Sequence, residues 1–244
     1  MTLGPRLYRD LARYYDVLYD GKDYAAETKF FVRVARQYGR SGGRRWLDVA
    51  CGTGRHLEYL RPTWDVVGLD GSADMLRVAR RRLGPVRLVR ADMRSFELGA
   101  RFDVISCLFS AIGHLQTEAD LRRTFRTFAH HLRPGGVVLL EPFVDPAKFI
   151  GGYSGLTLQS GDGVKVARAF HSRRRGALAH IHYIYLVAEE GQELWRAEEV
   201  DTLRLVAPRR LAELLRGAGL QARVLRSPHF PDRGLLVARA PAER

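Results

Sequence analysis

The chain has 244 residues, enough for one α/β domain with an insertion and for a full hydrophobic core. With 46% hydrophobic and 27% charged residues, and no run of about 18 apolar residues, its composition is that of a globular protein and excludes a membrane-spanning helix. The formal net charge of +13 rests on arginine: only Lys22, Lys29, Lys148 and Lys165 are lysines, and the arginines scatter over helical faces as at Arg77, Arg80, Arg81 and Arg82. The charge therefore reads as solvated surface that favours an anionic small substrate, with no nucleic acid as partner.

The opening MTLGPRLYRDLARYYD carries charges where a secretory segment needs an apolar stretch, so the expected compartment is the cytoplasm, with no membrane partner. Cys51 and Cys107 lack any C-x-x-C or Cys/His ligand spacing, which predicts two reduced thiols and no metal. Residues 24–38 place Ala26, Phe30, Phe31, Val34 and Tyr38 at helical spacing, ended by GRSGGRR. RWLDVACG is the first strong strand. A regular alternation follows: a helix near 55–61, strand DVVGLD, a helix over 72–83, strands VRLVRAD and FDVISCLF, a helix over 118–132, an RPGG turn and strand VVLLEP. Short apolar strands alternating with amphipathic helices predict a mostly parallel sheet with helices on both faces.

After Pro142 the pattern changes. GVKVARAFHS, ALAHIHYIYLVAEE and ELWRAEEVDTLRLV alternate over long stretches with no helix between them, which predicts a three-stranded antiparallel meander inserted into the core. Such a meander needs cover on one face, and it is expected to roof the ligand edge of the sheet. A helix over 208–217 and strands at 221–226 and 234–239 complete the chain. The expected division is an N-terminal helical lid over 1–44, an α/β core over 45–142 and 207–244, and an antiparallel β platform over 143–206.

In WLDVACGTGRHL a buried strand runs into a glycine turn and a helix, and Gly52 and Gly54 let backbone N–H groups approach a ligand. A dinucleotide fingerprint expects a third glycine where Leu57 stands, which disfavours a nicotinamide cofactor. Asp70 closes the next strand, where a carboxylate can accept two ribose hydroxyls, and Asp92-Met93 closes the third. Three candidate sites at the carboxyl ends of successive parallel strands point to one ligand crevice.

The run from Asp48 to Gly54 resembles motif I of the class I S-adenosylmethionine-dependent methyltransferases. That resemblance implies S-adenosyl-L-methionine as cofactor and S-adenosyl-L-homocysteine as product. It carries the cofactor site to Tyr15, Asp48, Ala50, Gly52, Gly54, Arg55, His56, Asp70, Gly71, Met75, Asp92, Met93 and Leu108. A narrower resemblance covers nearly the whole chain. YDVLYDGKDYAAE, ADMRSF, CLFSAIGHL, HLRPGGVVLLEPF and DRGLLV are similar to bacterial TDP-amino-sugar N,N-dimethyltransferases of the desosamine and mycaminose type.

That family implies N,N-dimethylation of a nucleotide-linked amino sugar in antibiotic biosynthesis, with another small-molecule N- or O-methyltransferase as the alternative. It implies catalytic roles for His114 and Tyr8, substrate contacts at Tyr24, Tyr153 and Arg233, and a homodimer paired through the platform; Arg168 and Ser172, on the meander, are further candidates for the substrate's anion. Arg233 falls where the family binds the pyrophosphate. The chain departs from the family after Glu141-Pro142, where Phe143-Val144 replaces an aromatic pair, and at SPHFPD before Arg233. A sulfonium is an activated methyl donor, so the site needs alignment and a free amine lone pair, not a covalent nucleophile. His114 suits the task of orienting that amine.

Overall fold

The computed structural model describes residues 6–161 and 163–242, so residues 1–5, 162 and 243–244 of the expected lid, platform and core lie outside the described residues. In chain order the helices are α1 (Tyr15–Leu18), α2 (Tyr24–Tyr38), α3 (Arg55–Leu60), α4 (Ala73–Leu83), α5 (Glu118–His131) and α6 (Pro208–Gly217). The strands are β1 (Arg45–Val49), β2 (Asp65–Asp70), β3 (Arg87–Arg90), β4 (Phe102–Cys107), β5 (Leu132–Leu140), β6 (Ser154–Gly161), β7 (Val164–Arg175), β8 (Leu178–Glu189), β9 (Trp195–Arg204), β10 (Gln221–Leu225) and β11 (Leu235–Arg239). Single 3₁₀ turns lie at Arg6–Tyr8, Ala12–Tyr14 and Ala111–His114.

Seven strands form one sheet in the order β10-β11-β5-β4-β1-β2-β3, and only β11 runs against its neighbours. The chain winds outward from β1 to β3, then crosses to β4 on the other side, which opens a crevice at the carboxyl ends of β1 and β4. Trp46, Leu47, Val49 and all of β4 are buried, as a strand covered on both faces requires. Phe31, Trp46, Leu57 and Leu83 pack α2, α3 and α4 on one face, while Phe102, Phe125, Phe128 and Leu215 pack α5 and α6 on the other. Side chains of Asp23, Ser72 and Thr117 accept backbone N–H bonds at the starts of α2, α4 and α5.

Two expectations need correction. The RPGG segment is not a turn before its strand but a bulge within β5: Phe102 pairs with Leu132, then Val104 with Val137. The second sheet has four strands, β6-β7-β8-β9, not three. The added strand, SGLTLQSG, lies at the edge with Leu156 and Leu158 facing outward, so its pattern lacks the buried apolar row that marks its neighbours. The inner face of this platform is covered by Leu7, Leu11, Tyr14, Tyr15 and Leu18, which pack between Met75 of α4 and Val166, Tyr185 and Val187. The N-terminal segment is thus the filling between platform and core.

Gly68, in the middle of β2, is where the glycine-loop region packs most tightly: a Cβ there would lie 2.6 Å from Leu88 Cδ2, 2.7 Å from Leu57 Cδ1 and 2.9 Å from Cys51 Sγ. Gly68→Ala should lower unfolding stability by about 1–3 kcal/mol through overpacking, seen as a lower denaturant midpoint at unchanged slope.

Candidate active site

The loop after β1 turns through left-handed backbone at Ala50 (φ 58°), Gly52 (φ 56°) and Gly54 (φ 79°). Gly54 precedes α3, and a Cβ on it would sit 2.6 Å from Leu83 Cδ1. It therefore serves the packing of α3 on α4 and leaves the ligand to Gly52. Asp48 is buried beneath the loop, where the Ser106 hydroxyl donates to it at 2.6 Å while Trp46 Nε1 donates to Ser106 Oγ at 2.7 Å. Burial pushes the Asp48 carboxyl up to about 6. Asp70 ends β2 with Oδ2 accepting the Gly52 N–H at 2.9 Å and Oδ1 accepting the Ser72 N–H at 2.8 Å. Burial raises its pKa, and these N–H bonds oppose the rise.

A cleft of about 370 Å³ opens above these strand ends. It gathers Tyr8, Tyr15, Ala50, Gly52, Asp70, Gly71, Met75, Met93, Leu108 and His114 from the predicted residues. A recess of about 40 Å³ adjoins it and adds Tyr24, Asp48, Arg55 and His56. Tyr24 thus belongs to the recess, where its ring meets His56 edge-on at 5.0 Å under the Arg55 guanidinium, and not to a separate acceptor pocket. His56 Nε2 lies 3.0 Å from the buried Glu27 carboxylate. Two features fit S-adenosylmethionine. A Cβ on Gly71 would meet only the Ala91 carbonyl at 3.8 Å, so the cleft wall is open there, and Met75, Met93 and Leu108 offer an apolar surface beside the Asp70 carboxylate.

Asp92 is not brought to this cleft. Arg94 Nε spans both of its carboxylate oxygens at 3.0 Å on the exposed side, a pairing two residues away that no strand pattern reveals. Arg233, expected at a pyrophosphate, instead donates from Nη2 to Glu141 Oε1 at 2.7 Å. Glu141 is fully buried and its other oxygen accepts the Phe109 N–H at 2.6 Å. Phe109 (φ 53°) and Ser110 (φ 61°) are non-glycine residues in left-handed backbone, a conformation that costs about 1–3 kcal/mol each and persists only when its surroundings hold it. Glu141 does so, and Ser110 Oγ adds a bond to the Pro142 carbonyl at 3.2 Å.

This turn leads into Ala111–His114 and places His114 at the cleft, with the Tyr8 ring edge-on at 5.3 Å and Asp201 Oδ1 3.5 Å from Nδ1. The Tyr8 carbonyl accepts the Ser72 hydroxyl, and burial raises its phenol pKa well above the usual value. The remaining substrate candidates lie away from this cleft, on the platform. Arg168 Nη1 donates to Tyr19 Oη at 3.1 Å and the guanidinium lies over the Tyr183 ring. Ser172 is buried, its hydroxyl spent on the carbonyls of Ile150 and Tyr153. Tyr153 lines a second cleft of about 280 Å³ with Phe143, Lys148, Phe170, Ser172 and Tyr183. Phe143 also packs on Gly113, the neighbour of His114, so the two clefts lie one residue apart.

Sequence reasoning missed Glu141, Ser72, Phe109 and Asp201 as parts of the site. A signal existed for Asp201: alternation in β9 puts it on the face of Ala197 and Leu203, an acid among core residues.

Residues 47–136 match the family described as "Methyltransferase domain". The chain is 37% identical to the dTDP-3-amino-3,6-dideoxy-alpha-D-glucopyranose N,N-dimethyltransferase of Streptomyces fradiae over 97% of its own length and 94% of the relative's. Among solved structures it is similar to Streptomyces venezuelae DesVI, with TM-score 0.88 at 36% identity, covering 95% of this chain and 98% of that one. It is also similar to the SAM-bound amino pentose methyltransferase CalS10 of Micromonospora echinaspora, with TM-score 0.82 at 35% identity over 92% of this chain and 95% of that one.

The raised carboxyl of Asp48 makes a pH prediction. A folded pKa of about 6, above the unfolded value, binds more protons in the native state, so its contribution falls as pH rises through the window from about 4 to 6. Asp48→Asn, which keeps an acceptor for Ser106, should flatten this slope and raise stability at pH 7 by about 2–3 kcal/mol, read by denaturant titration across that range.

Proposed function

Because the chain belongs to the class I S-adenosylmethionine-dependent methyltransferases, in the group of the dTDP-amino-sugar N,N-dimethyltransferases, we propose that it N,N-dimethylates the amine of a TDP-linked deoxyamino sugar. The observation that carries the reading is His114 at the end of a cleft that begins on the glycine loop and Asp70. S-adenosylmethionine supplies a sulfonium-activated methyl group, so the residues have to align two reactants and keep the amine lone pair free. The backbone of residues 50–54 and Asp48 would hold the amino-acid end in the recess, and Asp70 the ribose. Met75, Met93 and Leu108 would take the adenine, with Asp92 paired to Arg94 on the exposed side.

His114 accepts a hydrogen bond from the amine and aims it, with the Tyr8 ring bounding the same space. The nucleotide would lie in the second cleft, where Tyr153, Phe170 and Tyr183 offer rings for a flat base and Lys148 a cation for the diphosphate. Lys148 Nζ donates to the Asp232 carbonyl at 2.8 Å, which puts that cation one residue from Arg233. Arg233 keeps the structural duty of neutralising Glu141, and any anion contact it makes is additional to that pairing.

The platform also supports a homodimer. Its outer face carries Leu158, Ala167 and Leu186 in one cross-strand row and Leu156, Ala169 and Ile184 in the next, an apolar patch that a second copy would cover. The two free thiols, Cys51 and Cys107, suit a place in the reducing cytoplasm. There the enzyme would act in building the amino sugar of an antibiotic.

The test is mass spectrometry of a TDP-3-amino-3,6-dideoxyhexose incubated with the protein and S-adenosylmethionine. One and then a second added methyl is the expected result; cofactor binding with no methyl gained would refute the substrate class. In the same assay Lys148→Met should raise KM about 3–30-fold at near-constant kcat. Arg233→Ala should act chiefly on stability, lowering it by about 3 kcal/mol because Glu141 is left buried and unpaired. Sedimentation at micromolar concentration should give a dimer that Leu158→Asp dissociates, and a monomeric parent protein would exclude the proposed pairing.

A further inference from the structure

We propose that Asp201 is a positioning residue for His114: it holds the imidazole with its proton on Nδ1 and so leaves the Nε2 lone pair to receive an N–H of the acceptor amine. The inference rests on the reading of His114 given above and extends it to a residue on the other sheet.

The inner face of β9 carries two acids, two residues apart, beneath the N-terminal segment. Glu199 is fully engaged: Oε2 accepts the Leu7 N–H at 3.1 Å and Oε1 accepts the Tyr185 hydroxyl at 2.7 Å, which ties the Arg6–Tyr8 turn to the platform. Asp201 differs. It is 6% exposed, faces the apolar Ile181 across the ladder, and its Oδ1 has no hydrogen-bond partner among the described residues. A buried carboxylate oxygen left unpaired is unfavourable, and the group opposite Oδ1 is His114 Nδ1 at 3.5 Å. With Asp201 ionised, a protonated Nδ1 turns that approach into a bond. A neutral imidazole has one N–H, so placing it on Nδ1 makes Nε2 an acceptor.

The approach is built into the fold. A Cβ on Gly113 would lie 3.2 Å from Leu203 Cδ2, so the turn bearing His114 sits directly on β9 with no room for a side chain between them. The 3.5 Å separation is long for a hydrogen bond, and contacts of this kind tighten when a reactant completes the site. The other groups facing His114 do not take Nδ1: the Tyr8 ring stands perpendicular to the imidazole at 5.3 Å, its phenol close enough to feel the Asp201 charge but bonded to neither partner, and the charge of Asp70 acts from across the cleft, where its oxygens are held by Gly52 and Ser72. Burial raises the Asp201 carboxyl pKa and His114 opposes that rise, the coupling such a pair requires.

Long-range ¹H–¹⁵N correlation of labelled protein bound to S-adenosylhomocysteine, at about pH 8 where an ordinary histidine is neutral, reads the tautomer directly. The His114 signals are assigned by their loss in His114→Gln. The parent protein should carry the proton on Nδ1, and Asp201→Asn should move it to Nε2. The same variant should lower kcat about 10–100-fold, with KM for the amino sugar and affinity for S-adenosylhomocysteine each within about threefold of the parent. An Nε2-protonated His114 in the parent protein overturns the proposal without any variant. So does an Asn variant with an unchanged tautomer, or one whose tautomer moves while kcat stays. Failure of the substrate reading is distinct: the parent protein then methylates no amino sugar, while the tautomer still decides the role of Asp201.

Discussion

The Asp70 carboxylate holds two loops with its two oxygens, one on the Gly52 N–H and one on the Ser72 N–H, and the rest of the site hangs on that brace. Gly52 belongs to the loop after β1, Ser72 to the cap of α4. The Ser72 hydroxyl in turn reaches the Tyr8 carbonyl, Tyr8 meets His114, and His114 faces Asp201 on the platform. A single path of polar and ring contacts thus runs from the core sheet through the N-terminal segment to the second sheet. Removing water from such a path strengthens each contact and penalises any member left alone.

The acceptor side is organised by a second constraint, backbone strain. Phe109 and Ser110 both occupy left-handed conformations that turn the chain from β4 into the turn carrying His114. Glu141 fastens that turn from the end of β5, and Arg233 from the loop before β11 balances its charge. An acid buried without Arg233 would take up a proton and loosen its grip on the Phe109 N–H. Strand order makes this possible, because β5 lies between β4 and β11 and brings the three pieces side by side.

Buried acids therefore recur around the cleft: Asp48, Asp70, Glu141 and Asp201 all have pKa values raised by desolvation. A fold selected for stability alone would replace several of them. Asp48, Asp70 and Asp201 suit a site that binds a cationic donor and orients an amine, where negative charge held in low dielectric acts strongly, whereas the charge of Glu141 is taken up by Arg233.

The sequence by itself determined the α/β core, because apolar strands of period two alternating with helices of period 3.6 are local patterns that need no partner to be read. It also placed the glycine loop after β1 and Asp70 at the end of β2, whereas His114, in the Ala111–His114 turn beyond β4, was singled out by the family resemblance of its segment. Leu57, where a dinucleotide fingerprint expects its third glycine, disfavoured a nicotinamide cofactor in the same way. Only the tertiary structure decided how side chains pair across sequence distance. Arg94 pairs with Asp92 on the exposed side, Arg233 goes to Glu141, and Ser172 turns to backbone carbonyls, because a charged or polar group takes the nearest partner that satisfies it, wherever that lies in the chain. Edge strand β6 was hidden for a related reason: its apolar residues face outward, so its place in the ladder depends on β7 and not on its own pattern.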